Sequence, residues 1–163
     1  MKKFIIGLFF LLFIAATNVQ AQDYSTGIGL RGGPFNGVTI KHFLTTSTAV
    51  EGVLSTQWGG WMVSGTWEKQ APAFSVEGLK WYYGLGGQIG FWNTSNTNFP
   101  GYDSNHGSYT VLGVHAALGL EYTFKEIPFS IGADWKPALN LAGYASQPFW
   151  AGNMSGAYIR FNF

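Results

Sequence analysis

From residue 22 onward the chain alternates apolar with small or polar residues along nearly its whole length. The clearest stretch sets Leu112, Val114, Ala116, Leu118, Leu120, Tyr122 and Phe124 against Val111, Gly113, His115, Ala117, Gly119, Glu121 and Thr123. A second sets Trp81, Tyr83, Leu85, Ile89 and Phe91 against Lys80, Tyr82, Gly84, Gly86, Gln88 and Gly90. Successive side chains of a strand point to opposite faces, so a period of two predicts strands with one apolar face. Eight such segments are predicted near 24–33, 36–44, 48–58, 61–70, 79–92, 109–124, 129–137 and 155–163. The expected fold is all-β: an eight-stranded antiparallel up-and-down transmembrane β-barrel occupying residues 22–163.

An even number of strands puts both ends of the barrel chain on one side, the periplasmic side in a transmembrane barrel. The connections 45–47, 71–78 and 125–128 share that side, and 34–35, 59–60, 93–108 and 138–154 lie on the outer side. The two longest therefore fall outside, as such barrels require, although 71–78 is long for a periplasmic turn. About 18 residues per strand and connection suffice for eight strands and not for a wide pore.

Aromatic residues are expected to form two girdles at the lipid interfaces. Phe43, Trp67, Trp81, Tyr122, Phe124, Phe129, Phe161 and Phe163 make the periplasmic one, and Trp58, Trp61, Phe91, Tyr109 and Trp135 the outer one. Registers follow from the turns. Gly59-Gly60 reads as a two-residue hairpin loop pairing Trp58 with Trp61 and so Glu51 with Glu68. A three-residue turn at 45–47 pairs Lys41 with Glu51; pairing Trp67 with Trp81 sets Glu68 against Lys80, and pairing Trp92 with Tyr109 sets Lys80 against Glu121. Lys41, Glu51, Glu68, Lys80 and Glu121 are thus expected side by side in one lumenal row.

Composition sharpens the membrane assignment. Charged residues are 10% of the 163, against roughly 25% in ordinary soluble domains. Aromatic residues reach 18%. A soluble β-sandwich or lipocalin-like barrel would need charges on its outer face that this chain lacks. No apolar stretch after the N-terminal one is long enough for a spanning helix, and only helices and closed barrels pair every backbone group within lipid. A net charge of +1 gives no support for a nucleic-acid partner. At the N-terminus, Lys2 and Lys3 precede the apolar run Phe4–Ala16, and Val19-Gln20-Ala21 has the small-x-small form read by a signal peptidase. Residues 1–21 are therefore expected to be a cleaved secretory signal peptide, since the run falls short of the roughly 18–20 residues that cross a bilayer. There is no cysteine, hence neither a lipid-modified N-terminal cysteine nor a disulfide.

With the apolar face phased outward, the inward polar set is Arg31, Lys41, Glu51, Glu68, Lys80, His115, Glu121, Asp134, Lys136 and Arg160. Inward glycines such as Gly84, Gly86, Gly113, Gly119 and Gly132 make room for long side chains. Because buried charges must pair and these are nearly balanced, the set reads as a polar plug rather than a conduction path or an acid–base site.

No catalytic constellation stands out. The lipid A deacylase barrels use a His-x-Ser arrangement with a carboxylate, whereas this chain has His115-Ala116-Ala117 and His42-Phe43-Leu44. Asp103, Ser104, His106 and Ser108 supply the residue types of a triad within the 93–108 connection, but such residues also serve turns. Gly84-Leu85-Gly86-Gly87-Gln88-Ile89-Gly90 lacks the spacing and the following helix of a dinucleotide loop. Three scattered histidines make no metal site, and no cofactor is expected.

Near the C-terminus Ala157, Ile159, Phe161 and Phe163 alternate with Tyr158, Arg160 and Asn162. This resembles the C-terminal signal of outer-membrane barrels, with a terminal aromatic and apolar residues at alternate positions before it. In size and strand count the chain resembles the OmpA/OmpX-type barrels. The segment Gly119–Phe129 with Asp134-Trp135-Lys136-Pro137 is similar to a group of small uncharacterised barrels of that class. The resemblance implies a monomer in the outer membrane of a Gram-negative bacterium, reached by Sec-type export. Its implied partners are the lipid bilayer and, through the strand ending at Phe163, the outer-membrane insertion machinery. It carries no active site with it. Three function classes follow: a structural or adhesive barrel presenting the connections 93–108 and 138–154 (Tyr144, Phe149, Trp150), an outer-leaflet lipid-modifying enzyme, or a small pore.

Overall fold

In a computed structural model, which describes residues 24–57, 59–92, 108–143 and 152–163, the alternating segments close into a barrel. The strands are β1 (Thr26–Gly32), β2 (Asn36–Phe43), β3 (Thr48–Gln57), β4 (Gly60–Pro72), β5 (Leu79–Trp92), β6 (Tyr109–Thr123), β7 (Phe129–Trp135), β8 (Pro137–Ala142), β9 (Gly152–Asn153) and β10 (Gly156–Asn162). β7 and β8 both pair with β6 and are two halves of one barrel strand; β9 and β10 are likewise halves of another. Eight antiparallel barrel strands result, each beside its neighbours in sequence, and the β1–β10 ladder closes the ring. Among the described residues there is no helix.

The ladder breaks at Lys136-Pro137, because proline has no N–H to donate. The break is bridged locally: Met154 N donates to Lys136 O at 2.9 Å, and Lys136 N donates to Ser155 Oγ at 2.9 Å. The seventh barrel strand, expected to stop at 137, therefore runs on to Ala142 against His115, Val114 and Gly113. The connection expected at 138–154 is correspondingly shorter, and its residues 144–151 lie outside the described residues, as do 1–23, Trp58 and 93–107.

The stagger of the barrel can be followed from partner to partner: Thr123, Ser130, Arg160, Gly29, Thr39, Val53, Ser64, Gln88 and finally Gly113. One circuit thus returns to β6 about ten residues along, which tilts the strands by roughly 40°.

Of the expected registers, Lys41 with Glu51, Lys80 with Glu121 and Trp92 with Tyr109 are present. Two others are shifted. The β3–β4 hairpin turns one residue earlier than expected and pairs Gln57 with Gly60, so Glu51 faces Thr66 and Glu68 faces Ala49. Gly59 takes the left-handed conformation at φ 75°, while Gly60 belongs to the strand, where a Cβ would lie 2.2 Å from the Trp92 ring. Between β4 and β5, Trp67 faces Leu85, Glu68 faces Gly84 and Lys80 faces Pro72. Here β4 runs two residues further than expected and the turn tightens, with Phe74, Ser75 and Gly78 at positive φ. Both shifts are even in number, so every side chain keeps its expected face.

The two faces are inverted relative to a water-soluble domain. Leu30, Leu85, Leu112, Leu118, Leu120 and Ile159 stand on the outside, with Leu85 70% exposed. Outside aromatics gather towards the two ends: Trp81, Tyr83, Tyr122, Phe161 and Phe163 near the turns, Trp61 and Phe91 near the opposite rim. Two expected girdle members are elsewhere. Phe43 has the inward phase of β2 and packs edge-on against Tyr24 at the mouth. Trp135 lies at mid-height beside Leu118, because its strand continues above it.

Candidate functional site in the barrel interior

The inward phase of the strands gathers the charged residues into one connected structure. Nine of the ten expected interior residues, Arg31, Lys41, Glu51, Glu68, His115, Glu121, Asp134, Lys136 and Arg160, are buried, none more than 8% exposed. Eight of them form a chain of alternating sign. Arg31 holds Asp134 through both carboxylate oxygens, Asp134 lies 3.5 Å from Lys136, and Lys136 pairs with Glu51. Arg160 joins Glu51 to Glu121, Glu121 lies 3.3 Å from Lys41, and Lys41 reaches Glu68 at 3.1 Å. Every inner member touches two charges of opposite sign, which is the condition for keeping ions out of water.

The row expected from the ladders is therefore only partly present. Lys41 is the ladder partner of Glu51, yet its ammonium pairs with Glu68 and Glu121. Arg160 and Lys136, arriving from the far wall, take Glu51. In a barrel this narrow, long side chains meet across the axis as readily as along the wall. Lys80 stands half-buried at the turn-end mouth, its ammonium 6.0 Å from the Phe43 ring centre.

Hydroxyls and amides complete the network. Glu121 accepts from Tyr24 at 2.7 Å, Gln70 at 3.2 Å and Tyr158 at 3.0 Å, and Glu51 accepts from Thr39 at 2.8 Å. Tyr82 donates to Asp134 at 2.9 Å, and its ring lies 4.7 Å from the Lys41 ammonium. The Arg160 guanidinium lies 3.7 Å over the Tyr158 ring, a cation–π contact. Burial, then the Glu121 carboxylate, raise the Tyr24 phenol above its ordinary value, so it remains a donor. These tyrosines were missed among the candidate residues, although Tyr82 and Tyr158 occupy inward positions of their strands. Each has a glycine opposite: a Cβ at Gly119 would come within 2.4 Å of the Tyr82 ring, and one at Gly132 within 2.3 Å of the Tyr158 hydroxyl.

Above the charges, His115 is held between Thr66 Oγ1 and Gln88 Oε1, each at 2.8 Å. With the amide oxygen facing Nδ1, that nitrogen carries the proton and the Thr66 hydroxyl donates to Nε2. Among the described residues the ring's hydrogen-bond partners are this hydroxyl and this amide, with no carboxylate. Beyond it, Phe35, Met62, Trp92, Ala138 and Met154 pack as an apolar cap at the loop end. Tyr24 and Phe43 cover the turn end.

Among the charged members Glu68 is the one left short of hydrogen bonds. It is fully buried at the end of the charge chain, and neither carboxylate oxygen accepts a hydrogen bond in the structure. Among the described residues no group of three His, Cys, Asp or Glu is arranged to hold a metal. Asp103, Ser104 and His106 lie outside the described residues, and Ser108 is exposed. What this interior can do chemically is hold charge in fixed positions. No protein-family model, curated protein or solved structure matches the chain.

Proposed function

We propose that the protein is an integral outer-membrane β-barrel with a solid polar interior, serving as a structural or adhesive element through its outer connections. Residues 1–21 would direct Sec-type export and be removed. The alternate apolar residues of the last strand up to Phe163 would engage the insertion machinery, and the inserted barrel would be a monomer surrounded by lipid. The observation that carries this reading is the inversion of faces: ion pairs inside, large apolar side chains outside. In water an outer wall of this kind would favour aggregation. In lipid it is the required surface. Trp81 and Phe91 lie on one face of β5. They are separated by roughly 33 Å of strand, or about 25 Å of height at this tilt, the height of a barrel's apolar band.

The continuous charge chain and the covered mouths favour a plug over a pore. The test is made on the exported protein. It should fractionate with outer membranes, begin at Gln22, and migrate faster on a gel unless boiled. Single cysteines at Ser104 and Ser146 should label from outside intact cells, and one at Thr46 should not. Planar bilayers containing it should stay silent. A monodisperse, detergent-free soluble chain would overturn the membrane assignment, and steady conductance would overturn the plug.

A further inference from the structure

On the outer wall at the turn end lies an apolar groove of about 380 Å³, lined by Pro72, Ala73, Phe74, Trp81 and Leu120. Trp81 and Leu120 belong to the apolar belt of the barrel, so the groove opens out of that belt. At roughly 30 Å³ for each water-sized group, it has room for about a dozen. Its outer lip is unusual. Phe74 and Ser75, at φ 52° and 54°, are the described non-glycine residues in the left-handed region, where a side chain crowds its own backbone. This conformation leaves Phe74 81% exposed and Val76 49% exposed, although both are apolar. The turn is nonetheless fixed: Ala73 N donates to Leu79 O at 2.9 Å, and Glu77 pairs with Lys125 of the neighbouring turn.

Beside the groove stands Lys69. It is the one Asp, Glu, Lys or Arg on the outer face of the described strands, and among the described residues it makes no ion pair. It precedes Ala71 by one step on the same face and is paired with Tyr83, whose ring stacks on Trp81 at 5.4 Å. Glu77, the acid of the adjacent turn, is already occupied by Lys125.

Resting on the membrane reading above, we propose that this groove binds one glycerophospholipid of the leaflet at the turn end. An acyl chain would run along Trp81 and Leu120 into the belt with Phe74 beneath the glycerol, and the phosphate diester would sit on the Lys69 ammonium, its side chain extended towards the turns. A cation with no ion pair among the described residues, beside an apolar groove on the same outward face, complements an anionic headgroup joined to a hydrocarbon chain. A protein segment would have to bring its own backbone polar groups into this belt, where they find no partner. That favours the lipid as occupant.

The test uses the full exported barrel folded in vesicles of phosphatidylglycerol and phosphatidylcholine, then released gently for native mass spectrometry. One retained phosphatidylglycerol per barrel is expected. Lys69→Met and Phe74→Ser should each lower retention at least fivefold while keeping the heat-modifiable fold, and Lys69→Arg should retain the lipid. Equal retention in all variants would overturn the site. So would equal retention of diacylglycerol, which lacks the phosphate, preference for lipid A, or a dimer lost with the same substitutions. A barrel that folds in vesicles yet keeps no lipid removes the site alone, whereas a chain that never enters vesicles removes the membrane reading and the site with it.

Discussion

The two ends of the interior are filled by opposite chemistry. Towards the turns the filling is ionic, from Arg31 through Arg160 to Glu68; towards the loops it is Phe35, Met62, Trp92, Ala138 and Met154. The apolar cap resembles an ordinary core, in which a lost side chain costs its transfer energy and a cavity. The ionic part behaves differently, because deleting one member strands its neighbours. The position of a residue along the barrel axis therefore decides what its removal costs, more than its size does.

Four substitutions break or sharpen that contrast, each read by urea unfolding of the barrel in lipid with tryptophan fluorescence. Arg160→Met should be the most damaging, by about 3–5 kcal/mol, because it removes one of two counter-charges from Glu51 and from Glu121 at once. Equal stability with the parent would mean that Lys136 and Lys41 alone suffice for the two carboxylates. Lys41→Met follows, at roughly 3 kcal/mol, and its couplings discriminate between geometries. A double-mutant cycle with Glu68→Gln should give about 1 kcal/mol or more of coupling, and one with Glu51→Gln a smaller value, although Glu51 is the ladder partner. The reverse result would restore the row expected from the ladders. In the cap, Met154→Ala should cost about 2 kcal/mol and leave the Lys41–Glu68 coupling unchanged. A changed coupling would mean that the two ends are one unit. The smallest effect is expected from Glu68→Gln alone, within about 1 kcal/mol of the parent, since its oxygens accept no hydrogen bond. A large loss there would mean that Lys41, 3.1 Å away, depends on Glu68 more than on Glu121.

Face was legible in the sequence, and register only in part. A period of two assigns each side chain to one wall whatever the pairing, which is why Glu51, Glu121 and Arg160 could be placed inside from alternation alone. Pairing depends on turns. The Gly59-Gly60 dipeptide allows two frames, and choosing between them needed the Trp92 indole, which arrives from β5 to fill the space above Gly60. Pro137 misled for a related reason: it removes a donor but does not end a strand whose partner can bridge the gap, as Met154 and Ser155 do here. Contacts across the barrel axis depend on the stagger of the whole ring, and no local pattern encodes that. Thus the inward phase of the eight linked charges followed from the sequence, whereas the exchange of Glu51 from Lys41 to Lys136 and Arg160 did not.

The charge chain also constrains the order in which the barrel can be assembled. Lys41 and Glu68 meet within the first four strands, but Glu51 and Arg160 are 109 residues apart, Arg31 and Asp134 are 103 apart, and Lys41 and Glu121 are 80 apart. Contacts of that separation form late, because the loop must close before they contribute. A nascent sheet of β1 to β4 would carry Arg31 and Glu51 without their partners, on a face that has as yet no opposite wall. Neutralising these charges and joining β10 to β1 are therefore a single event, and a ring lacking its last strand is a charged sheet rather than a smaller barrel.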